Sequence, residues 1–309
     1  MVKLVAESLL KNPELLRGKV AIITGANSGI GEATAKAMNA CGAHIIMACR
    51  SEEKAKAAVD RIQEHYKTNV SNDNQPPVEF MKLDLSQLES VREFVTAFES
   101  KNLQINYLIN NAGCVFMDHG VTKDGYEQFF QVNYLSHFLL TRLLLENLKA
   151  NNARILNLSS GAHKFPKRDK LPTEEELRTP MEKDYKMVLY GLSKLYMLLF
   201  TIELQKKLQG TGVTTFSIDP GYVKSELGQK DDTPGWMKLM TKPFELMFSK
   251  NVFQGAQTSL HCALMPLEEL TPGEHYENCG ITAKSKMATN EELQAELYRM
   301  TCKFLEIEQ

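Results

Sequence analysis

The feature that most constrains the fold is a short apolar segment followed directly by a glycine-rich loop. The apolar segment is Val20–Thr24, and the loop has the spacing GxxxGxG at Gly25, Gly29 and Gly31 before a helical pattern begins. Glycines permit a tight turn and let backbone N–H groups approach a phosphate at a helix N-terminus. The order of strand, glycine loop and helix therefore predicts a dinucleotide-binding unit, with a structural turn as the alternative.

The rest of the chain repeats this alternation of short apolar segments with longer helical patterns. Continuous apolar segments are typical of strands buried on both faces, as in a parallel sheet covered by helices. The sequence therefore predicts an α/β fold: a doubly wound parallel sheet, or Rossmann fold, with helices on both faces. The predicted strands are Val20–Thr24, His44–Ala48, Val78–Leu83, Tyr107–Asn110, Arg154–Leu158 and Val213–Ile218. The predicted helices are Glu32–Cys41, Ser51–Tyr66, Leu88–Lys101, Gly125–Ala150, Tyr190–Leu208 and a last one near Asn290–Glu306.

On length alone, 309 residues would suit about two domains. No internal repeat or Gly/Ser-rich linker interrupts the alternation, so we predict one domain over residues 18–309, after an N-terminal extension at 1–17. Two stretches stand apart from the strand and helix pattern, at 161–189 and 224–253. We predict that they are insertions on the substrate side of the domain.

Composition and charge exclude several classes of protein. The formal net charge is -2, whereas bulk nucleic-acid binding usually needs a strong basic excess. No apolar run reaches the length of a membrane span, and the N-terminus lacks the apolar core of a signal peptide, so we expect no transmembrane segment. None of the 6 cysteines has CxxC or zinc-site spacing, so we expect no metal, and buried thiols in a reducing compartment such as the cytoplasm.

Arg50 ends the second predicted strand, 19 positions after Gly31. An acidic residue near this point binds the ribose 2′-hydroxyl of NAD, whereas an arginine suits the 2′-phosphate of NADP. The sequence therefore favours NADP(H). The alternative is that Arg50 is a solvated residue at the end of a strand.

Tyr190 and Lys194 are spaced i and i+4, so a helix places them on the same face. A phenol with an ordinary pKa is a poor acid–base catalyst near neutrality, and a neighbouring cation should lower its pKa. Ser159 and Ser160 follow the strand that ends at Leu158, at the sheet edge where open α/β folds bind ligands. Together these residues predict a site that exchanges a proton with a carbonyl or alcohol oxygen.

With these motifs in place, the chain resembles the short-chain dehydrogenase/reductase family over roughly residues 18–227. The motifs that carry the resemblance occur in the family's order: TGANSGIG at 24–31, Asp84-Leu85, NNAG at 110–113, Asn133, LSS at 158–160, YGLSK at 190–194 and DPGYVKS at 219–225.

The resemblance implies roles for individual residues. Asn133, Ser160, Tyr190 and Lys194 would be catalytic: Tyr190 exchanges the proton, Ser160 orients the substrate, Lys194 acidifies Tyr190 and binds the nicotinamide ribose, and Asn133 holds a helix kink and a water. The predicted cofactor-binding residues are Gly25, Asn27, Ser28, Gly29, Ile30, Gly31, Arg50, Asp84, Leu85, Asn111, Ala112, Gly113, Tyr190, Lys194, Pro220, Gly221 and Val223.

Within the family, the chain is similar to the retinol dehydrogenases and to the oxidoreductase domain of WW-domain-containing oxidoreductases. The similar segments are GAHIIMACRS at 42–51, TKDGYEQFFQVNYLSHFLLT at 122–141, SSGAH at 159–163 and YENC at 276–279. One departure is Asp219, which stands before Pro220 where many relatives have a histidine. We expect neither the hydrophobic N-terminal anchor of membrane-bound retinol dehydrogenases nor WW modules.

The second insertion is rich in methionine and aromatic residues between Trp236 and Phe248. Such side chains make an adaptable apolar surface. We interpret it as a lid over a lipophilic substrate such as a retinoid, steroid or aldehyde. An oligomer contact, plain core and peripheral membrane contact are the alternatives, and relatives in the family are often dimers or tetramers.

The leading functional hypothesis is an NADP(H)-dependent oxidoreductase that acts on a lipophilic carbonyl or alcohol. A general carbonyl reductase is one alternative. The other is an NADPH-binding regulatory protein with little turnover. Loss of Tyr190 or Lys194 would have favoured that role, but both residues are present.

Overall fold

The computed structural model describes residues 4–5, 7–70, 74–115, 120–179, 186–223 and 250–309. Within these ranges, one sheet of eight strands has the order β3-β2-β1-β4-β5-β6-β7-β8. Its strands are β1 (Val20–Thr24), β2 (His44–Cys49), β3 (Val78–Lys82), β4 (Ile105–Asn110), β5 (Arg154–Leu158), β6 (Thr214–Asp219), β7 (His275–Glu277) and β8 (Gly280–Ile281). All neighbouring strands are parallel except β7 and β8, so the predicted doubly wound parallel sheet is confirmed.

Helices connect the strands and cover both faces of the sheet. They are α1 (Glu7–Leu10), α2 (Gly29–Ala40), α3 (Glu52–Asn69), α4 (Leu88–Glu99), α5 (Gln128–Phe130), α6 (Ser136–Leu143), α7 (Leu145–Ala150), α8 (Glu174–Arg178), α9 (Lys186–Lys207), α10 (Val252–Leu264) and α11 (Glu291–Phe304). Several begin at a residue that caps their free N–H groups. Asn251 and Gln254 form a reciprocal capping box at α10, and Thr173 and Glu176 form one at α8.

The core has two apolar layers, one on each face of the sheet. Along β1, Ile22 packs into one layer while Ala21 and Ile23 pack into the other, as the alternation of side chains along a strand requires. The residues of β1 are all buried. Burial on both faces explains why the strands are continuous apolar segments in the sequence.

Three boundaries differ from the sequence prediction. The segment 125–150, predicted as one helix, is divided into α5, a π-helical turn at Gln131–Leu135, α6 and α7. The insertion predicted at 161–189 contains a 3-10 turn and α8, and its last four residues belong to α9. Strands β7 and β8 were not predicted, because three and two residues are too few for a pattern to register.

The N-terminal extension packs against the sheet domain. Leu16 is buried, and its backbone N–H donates to the carbonyl of Cys41 at 2.8 Å. Val5 is also buried, and its N–H donates to Oε1 of Gln257 at 2.7 Å. These contacts join the extension to the end of α2 and to α10.

In the described part of the chain, α9 is the one helix long and apolar enough to cross a membrane by length and composition. Of its most apolar stretch, 72% is buried within the fold. Leu195, Leu198 and Leu199, for example, are fully enclosed in the core layer that α9 shares with α11. The apolar character of α9 is thus accounted for by its place in the core.

Candidate active site

The candidate site lies at the edge of the sheet where the parallel strands end. Strands β1 and β4 are neighbours, but the strands that follow them, β2 and β5, lie on opposite sides of this pair. Such a reversal opens a crevice at the carboxyl ends of the strands, where ligands bind in open α/β sheets. The loops after β1, β4, β5 and β6 carry most of the predicted site residues, and the topology brings all four loops to this edge.

Three of the four residues predicted to be catalytic lie together here. Helix α9 places Tyr190 one turn before Lys194, whose Nζ lies 5.7 Å from the centre of the tyrosine ring. The side chain of Ser160, just after β5, hydrogen-bonds with the Tyr190 hydroxyl. The Lys194 Nζ donates to the carbonyl oxygen of Leu158 at 2.9 Å. These contacts fix a hydroxyl pair and a buried amine at the mouth of the crevice.

Burial sets the protonation states of the pair. It raises the pKa of Tyr190 to about 12, although the hydrogen bond with Ser160 acts in the opposite direction. It lowers the pKa of Lys194 to about 8. The net shift of the Tyr190 pKa is therefore upward, because desolvation of the phenolate outweighs the hydrogen bond with Ser160. That Lys194 lowers the pKa of Tyr190 stays a prediction. Tyr190 is a neutral phenol near neutral pH, the form that donates a proton.

Asn133, the fourth predicted residue, lies in the π-helical turn between α5 and α6. Its amide joins this turn to the loop after β4: Oδ1 accepts from the Cys114 N–H at 2.7 Å, and Nδ2 donates to the Cys114 carbonyl at 3.1 Å and to Ser193 Oγ at 2.9 Å. A Cβ on Gly113 would lie 3.2 Å from Asn133 Oδ1 and 3.4 Å from Lys194 Nζ. Gly113 therefore lies between the asparagine and the lysine.

The loop after β1 has the shape of a phosphate cradle. Gly25 and Gly29 have φ of +66° and +57°, which glycine adopts without strain. A Cβ on Gly31 would lie 2.5 Å from the Gly25 carbonyl oxygen. Ser28, the N-cap of α2, makes no side-chain capping hydrogen bond. The cradle and the free helix N-terminus fit a dinucleotide diphosphate, with Asn27 and Ile30 on the same loop.

Thr24 connects this loop to the one after β4. Its Oγ1 accepts the N–H groups of Asn111 and Ala112 at 2.9 and 2.8 Å, and lies 3.0 Å from Nε2 of His137. Asn111 also donates through Nδ2 to the Thr24 carbonyl at 2.8 Å. Asn111 and Ala112 are thereby fixed against the first strand.

Arg50 and Asp84 lie at the other end of the crevice, after β2 and β3. Arg50 is exposed. Burial raises the pKa of Asp84, but hydrogen bonds from Ser86 and the charge of Arg50 help to bring the net shift below the ordinary value. Leu85 is buried in the core, and its carbonyl accepts from Ser136 Oγ at 2.6 Å. Arg50 and Asp84 are thus close enough to interact, with an open side toward solvent.

The loop after β6 closes the opposite end. Gly221 has a φ of +76°, and a Cβ there would lie 2.8 Å from Lys250 Nζ. The Lys250 Nζ donates to the Pro220 carbonyl at 3.2 Å. Val223 pairs with Lys250 in an isolated bridge and contacts Gly255 of α10. Residues 224–249, which include most of the predicted lid, lie outside the described residues.

Comparison with known proteins agrees with this geometry. The sequence profile of the short chain dehydrogenase family matches residues 19–170. Human retinol dehydrogenase 11 is 39% identical over 98% of this chain and 91% of its own length. The chain belongs to the short-chain dehydrogenase family. This short-chain dehydrogenase is therefore an oxidoreductase that acts on an alcohol or carbonyl group.

Two further similarities place the short-chain dehydrogenase more closely. The human WW domain-containing oxidoreductase is 37% identical over 92% of this chain and 67% of its own length, so both predicted relatives are confirmed. The crystal structure of L-sorbose reductase from Gluconobacter frateurii, complexed with NADPH and L-sorbose, superimposes with a TM-score of 0.64 over 84% of this chain and 95% of that chain. At 19% identity, it supports the fold alone.

Sequence reasoning missed several residues that shape the site of this dehydrogenase. Thr24 and His137 join its loops, and Lys250 lies against Gly221. His163 was not selected either: its Nδ1 donates to the Ser160 carbonyl at 2.7 Å, and its Nε2 accepts from the Ser285 N–H at 3.2 Å. Apart from the TG pair at the end of β1, no local pattern marks these residues, because most of their partners are distant in the chain.

Proposed function

We propose that this short-chain dehydrogenase is an NADP(H)-dependent oxidoreductase that transfers hydride between the nicotinamide and a lipophilic carbonyl or alcohol. The observation that carries the proposal is the group of Ser160, Tyr190 and Lys194 beside a glycine cradle at the switch point of the sheet. All three side chains that manage the proton are present, which favours turnover over a purely regulatory role.

The residues of the crevice support a full dinucleotide. Gly25, Gly29 and Gly31 would hold the diphosphate, and Asn111 and Gly113 would border the ribose and nicotinamide. Arg50, exposed at the end of β2, would pair with a 2′-phosphate, because a guanidinium matches phosphate geometry. A solved protein of this fold, L-sorbose reductase, is described as complexed with NADPH.

The chain's own groups manage the proton. When bound, the nicotinamide supplies hydride to the carbonyl carbon or accepts it from the alcohol carbon. The Oγ of Ser160 accepts the Ala162 N–H at 3.2 Å, so its proton can point to the substrate oxygen. Tyr190 donates its phenolic proton to that oxygen during reduction and accepts one during oxidation. The Nζ of Lys194 donates to the Leu158 carbonyl. Its positive charge there can stabilise the phenolate that forms when Tyr190 gives up its proton.

The apolar rim of the crevice supports a lipophilic substrate. Three large aromatic side chains near the site loops are exposed: Phe165 at 50%, Tyr222 at 58% and Phe253 at 47%. Phe165 follows the turn after Ser160, and its Cβ would lie 3.4 Å from a Cβ on Gly191. Exposed aromatics on segments that adjoin the site loops suit an apolar ligand with one reactive oxygen. The relative that is 39% identical is named for retinol.

The test is NADPH and NADH oxidation with a panel of lipophilic aldehydes and ketones, including retinal, a steroid ketone and a medium-chain aldehyde. We expect turnover of at least one apolar class, a higher kcat/KM with NADPH than with NADH, and no turnover of a polar sugar ketone. Tight NADPH binding with no oxidation across the whole panel would instead support an NADPH-binding protein without turnover. Broad, unselective turnover would support a general carbonyl reductase.

A further inference from the structure

Asp219 is a buried carboxylate at the candidate active site. It is the last residue of β6, next to β5 in the sheet, and only 4% of it is exposed. A carboxylate enclosed in this way loses hydration, so it needs hydrogen bonds to remain charged.

The hydrogen bonds of Asp219 join two loops. Its Oδ1 accepts the Gly221 N–H at 2.8 Å, and the carboxylate also accepts the N–H of Gly161. A Cβ on Gly161 would lie 3.2 Å from Oδ2, a tight contact that places this glycine directly against the carboxylate. Gly161 follows Ser160, and Gly221 follows Pro220. One side chain thus holds both the loop that carries the serine and the loop at the nicotinamide end.

The same carboxylate acts on the proton-exchanging pair. Burial has the largest influence: it raises the pKa of Tyr190 and lowers that of Lys194. The negative charge of Asp219 has a smaller influence, and it raises the pKa of both groups. The Cys114 thiol faces both groups as well, from the loop after β4. Around Asp219 itself, Glu277 of β7 opposes its ionisation and Lys250 favours it.

We propose that Asp219 is a positioning residue for the reaction, whose buried carboxylate clamps the Ser160 loop to the Pro220–Gly221 loop and holds a negative charge beside Tyr190 and Lys194. That charge acts in the same direction as burial on Tyr190 and against the effect of burial on Lys194. The activity readout of this proposal rests on the proposed function, whereas its structural readouts do not.

The position carries a cost in stability. Burial raises the pKa of Asp219, so the ionised carboxylate destabilises the folded state at pH values above its folded pKa. This loss diminishes as the pH falls through the folded pKa toward the ordinary value, because the folded state then takes up the proton more readily than the unfolded chain.

The experiment compares Asp219→Asn and Asp219→Ala with the full-length wild type, and uses Asp60→Asn, an exposed aspartate on α3, as the control. Asparagine keeps an acceptor for the Gly221 N–H but removes the charge and the acceptor for the Gly161 N–H, and alanine removes the charge and both acceptors. The readouts are the pH dependence of kcat/KM in both directions, the melting temperature against pH, and amide hydrogen exchange of the two loops.

In Asp219→Asn we expect the pH at which kcat/KM changes to be lower than in the wild type by about half a unit or more, for both reduction and oxidation. We also expect a higher melting temperature than the wild type at neutral pH, with the difference diminishing on acidification. In Asp219→Ala we expect faster exchange at Gly161 and Gly221 and about a tenfold loss of kcat/KM, since a small misplacement of reacting groups is costly. Asp60→Asn should match the wild type throughout.

The proposal would be overturned if the pH dependence of kcat/KM in Asp219→Asn equals that of the wild type. It would also be overturned if amide hydrogen exchange in both loops of Asp219→Ala is unchanged. If the wild type turns over no substrate with either cofactor, the proposed function fails. The melting and exchange measurements then decide the role of Asp219 independently: a pH-independent difference in melting temperature or an unaltered loop would reject it.

Discussion

The two ends of the crevice differ in how strongly the fold holds their side chains. At the end where we propose that the nicotinamide binds, Lys194 is only 5% exposed and donates to the Leu158 carbonyl, and Tyr190 shares a hydrogen bond with Ser160. At the end where we propose that the adenine binds, Arg50 is exposed. The buried end has protonation states altered by its surroundings, whereas the exposed end offers a charge that solvent screens.

This difference indicates that the two ends of the crevice have different roles. A buried, hydrogen-bonded group contributes to the transition state because it is already oriented when the substrate arrives. In the proposed function, the exposed Arg50 would contribute to the choice between two cofactors that differ by one phosphate. Changes at the buried end should therefore alter kcat, and changes at the exposed end should alter cofactor preference with little effect on stability.

The largest expected effect is at Tyr190. In Tyr190→Phe the ring remains and the proton donor is lost, so we expect kcat for carbonyl reduction to fall about 10³-fold or more. NADPH affinity, measured by fluorescence titration, should change by less than about twofold, since the hydroxyl acts on the substrate oxygen.

Tyr66→Phe is the matched control, because Tyr66 is buried on α3 and its hydroxyl donates to the Asn74 carbonyl at 3.3 Å. This variant also loses one buried phenolic hydroxyl, yet we expect wild-type turnover. Retained turnover in Tyr190→Phe would remove the tyrosine from the reaction and with it the contrast between the two ends.

The next effect concerns the cradle between the ends. In Gly31→Ala, the new Cβ would lie 2.5 Å from both the Gly25 carbonyl oxygen and Asn111 Nδ2, so the loop must move. We expect NADPH affinity to fall about 100-fold, equivalent to about 2.7 kcal/mol. Gly280→Ala is the control, because the nearest atom to a Cβ there is 4.0 Å away. Equal affinities in the two variants would contradict a rigid phosphate cradle.

At the exposed end, Arg50→Gln should lower the ratio of kcat/KM for NADPH over NADH about 10- to 50-fold. The melting temperature should be unchanged, as for most exposed substitutions. Lys54→Gln, an exposed lysine on the neighbouring helix α3, removes an equal charge and should leave the ratio as it is. A wild type that prefers NADH, or an unaltered ratio in Arg50→Gln, would show that Arg50 does not select the cofactor.

The same contrast explains what the sequence could predict. Strand β1, the glycine loop and the Tyr190–Lys194 pair are local patterns, so they were placed correctly from the residues alone. A helix kink at Asn133 was expected from the family resemblance, whereas the periodicity of the residues predicted one continuous helix there. The hydrogen bonds of Asn133 join the π-helical turn to Cys114, 19 positions away in the chain. The raised pKa of Tyr190 is set by burial, which is a property of the assembled fold. Local chemistry was therefore predictable, and its adjustment by distant residues was not.

The smallest effect concerns the charge of Lys194. Burial lowers its pKa to about 8 and raises that of Tyr190 to about 12, so Lys194 titrates first as the pH rises. We expect kcat/KM for reduction to be constant below about pH 7 and to fall about three- to tenfold between pH 8 and 9, as a single proton is lost.

Lys194→Arg keeps a permanent charge, so its lower residual activity should not fall between pH 8 and 9. Lys207→Arg, at the exposed end of the same helix, should retain the wild-type profile. If kcat/KM of Lys194→Arg still falls between pH 8 and 9, another group titrates there. The pH dependence would then come from Tyr190 or from the substrate.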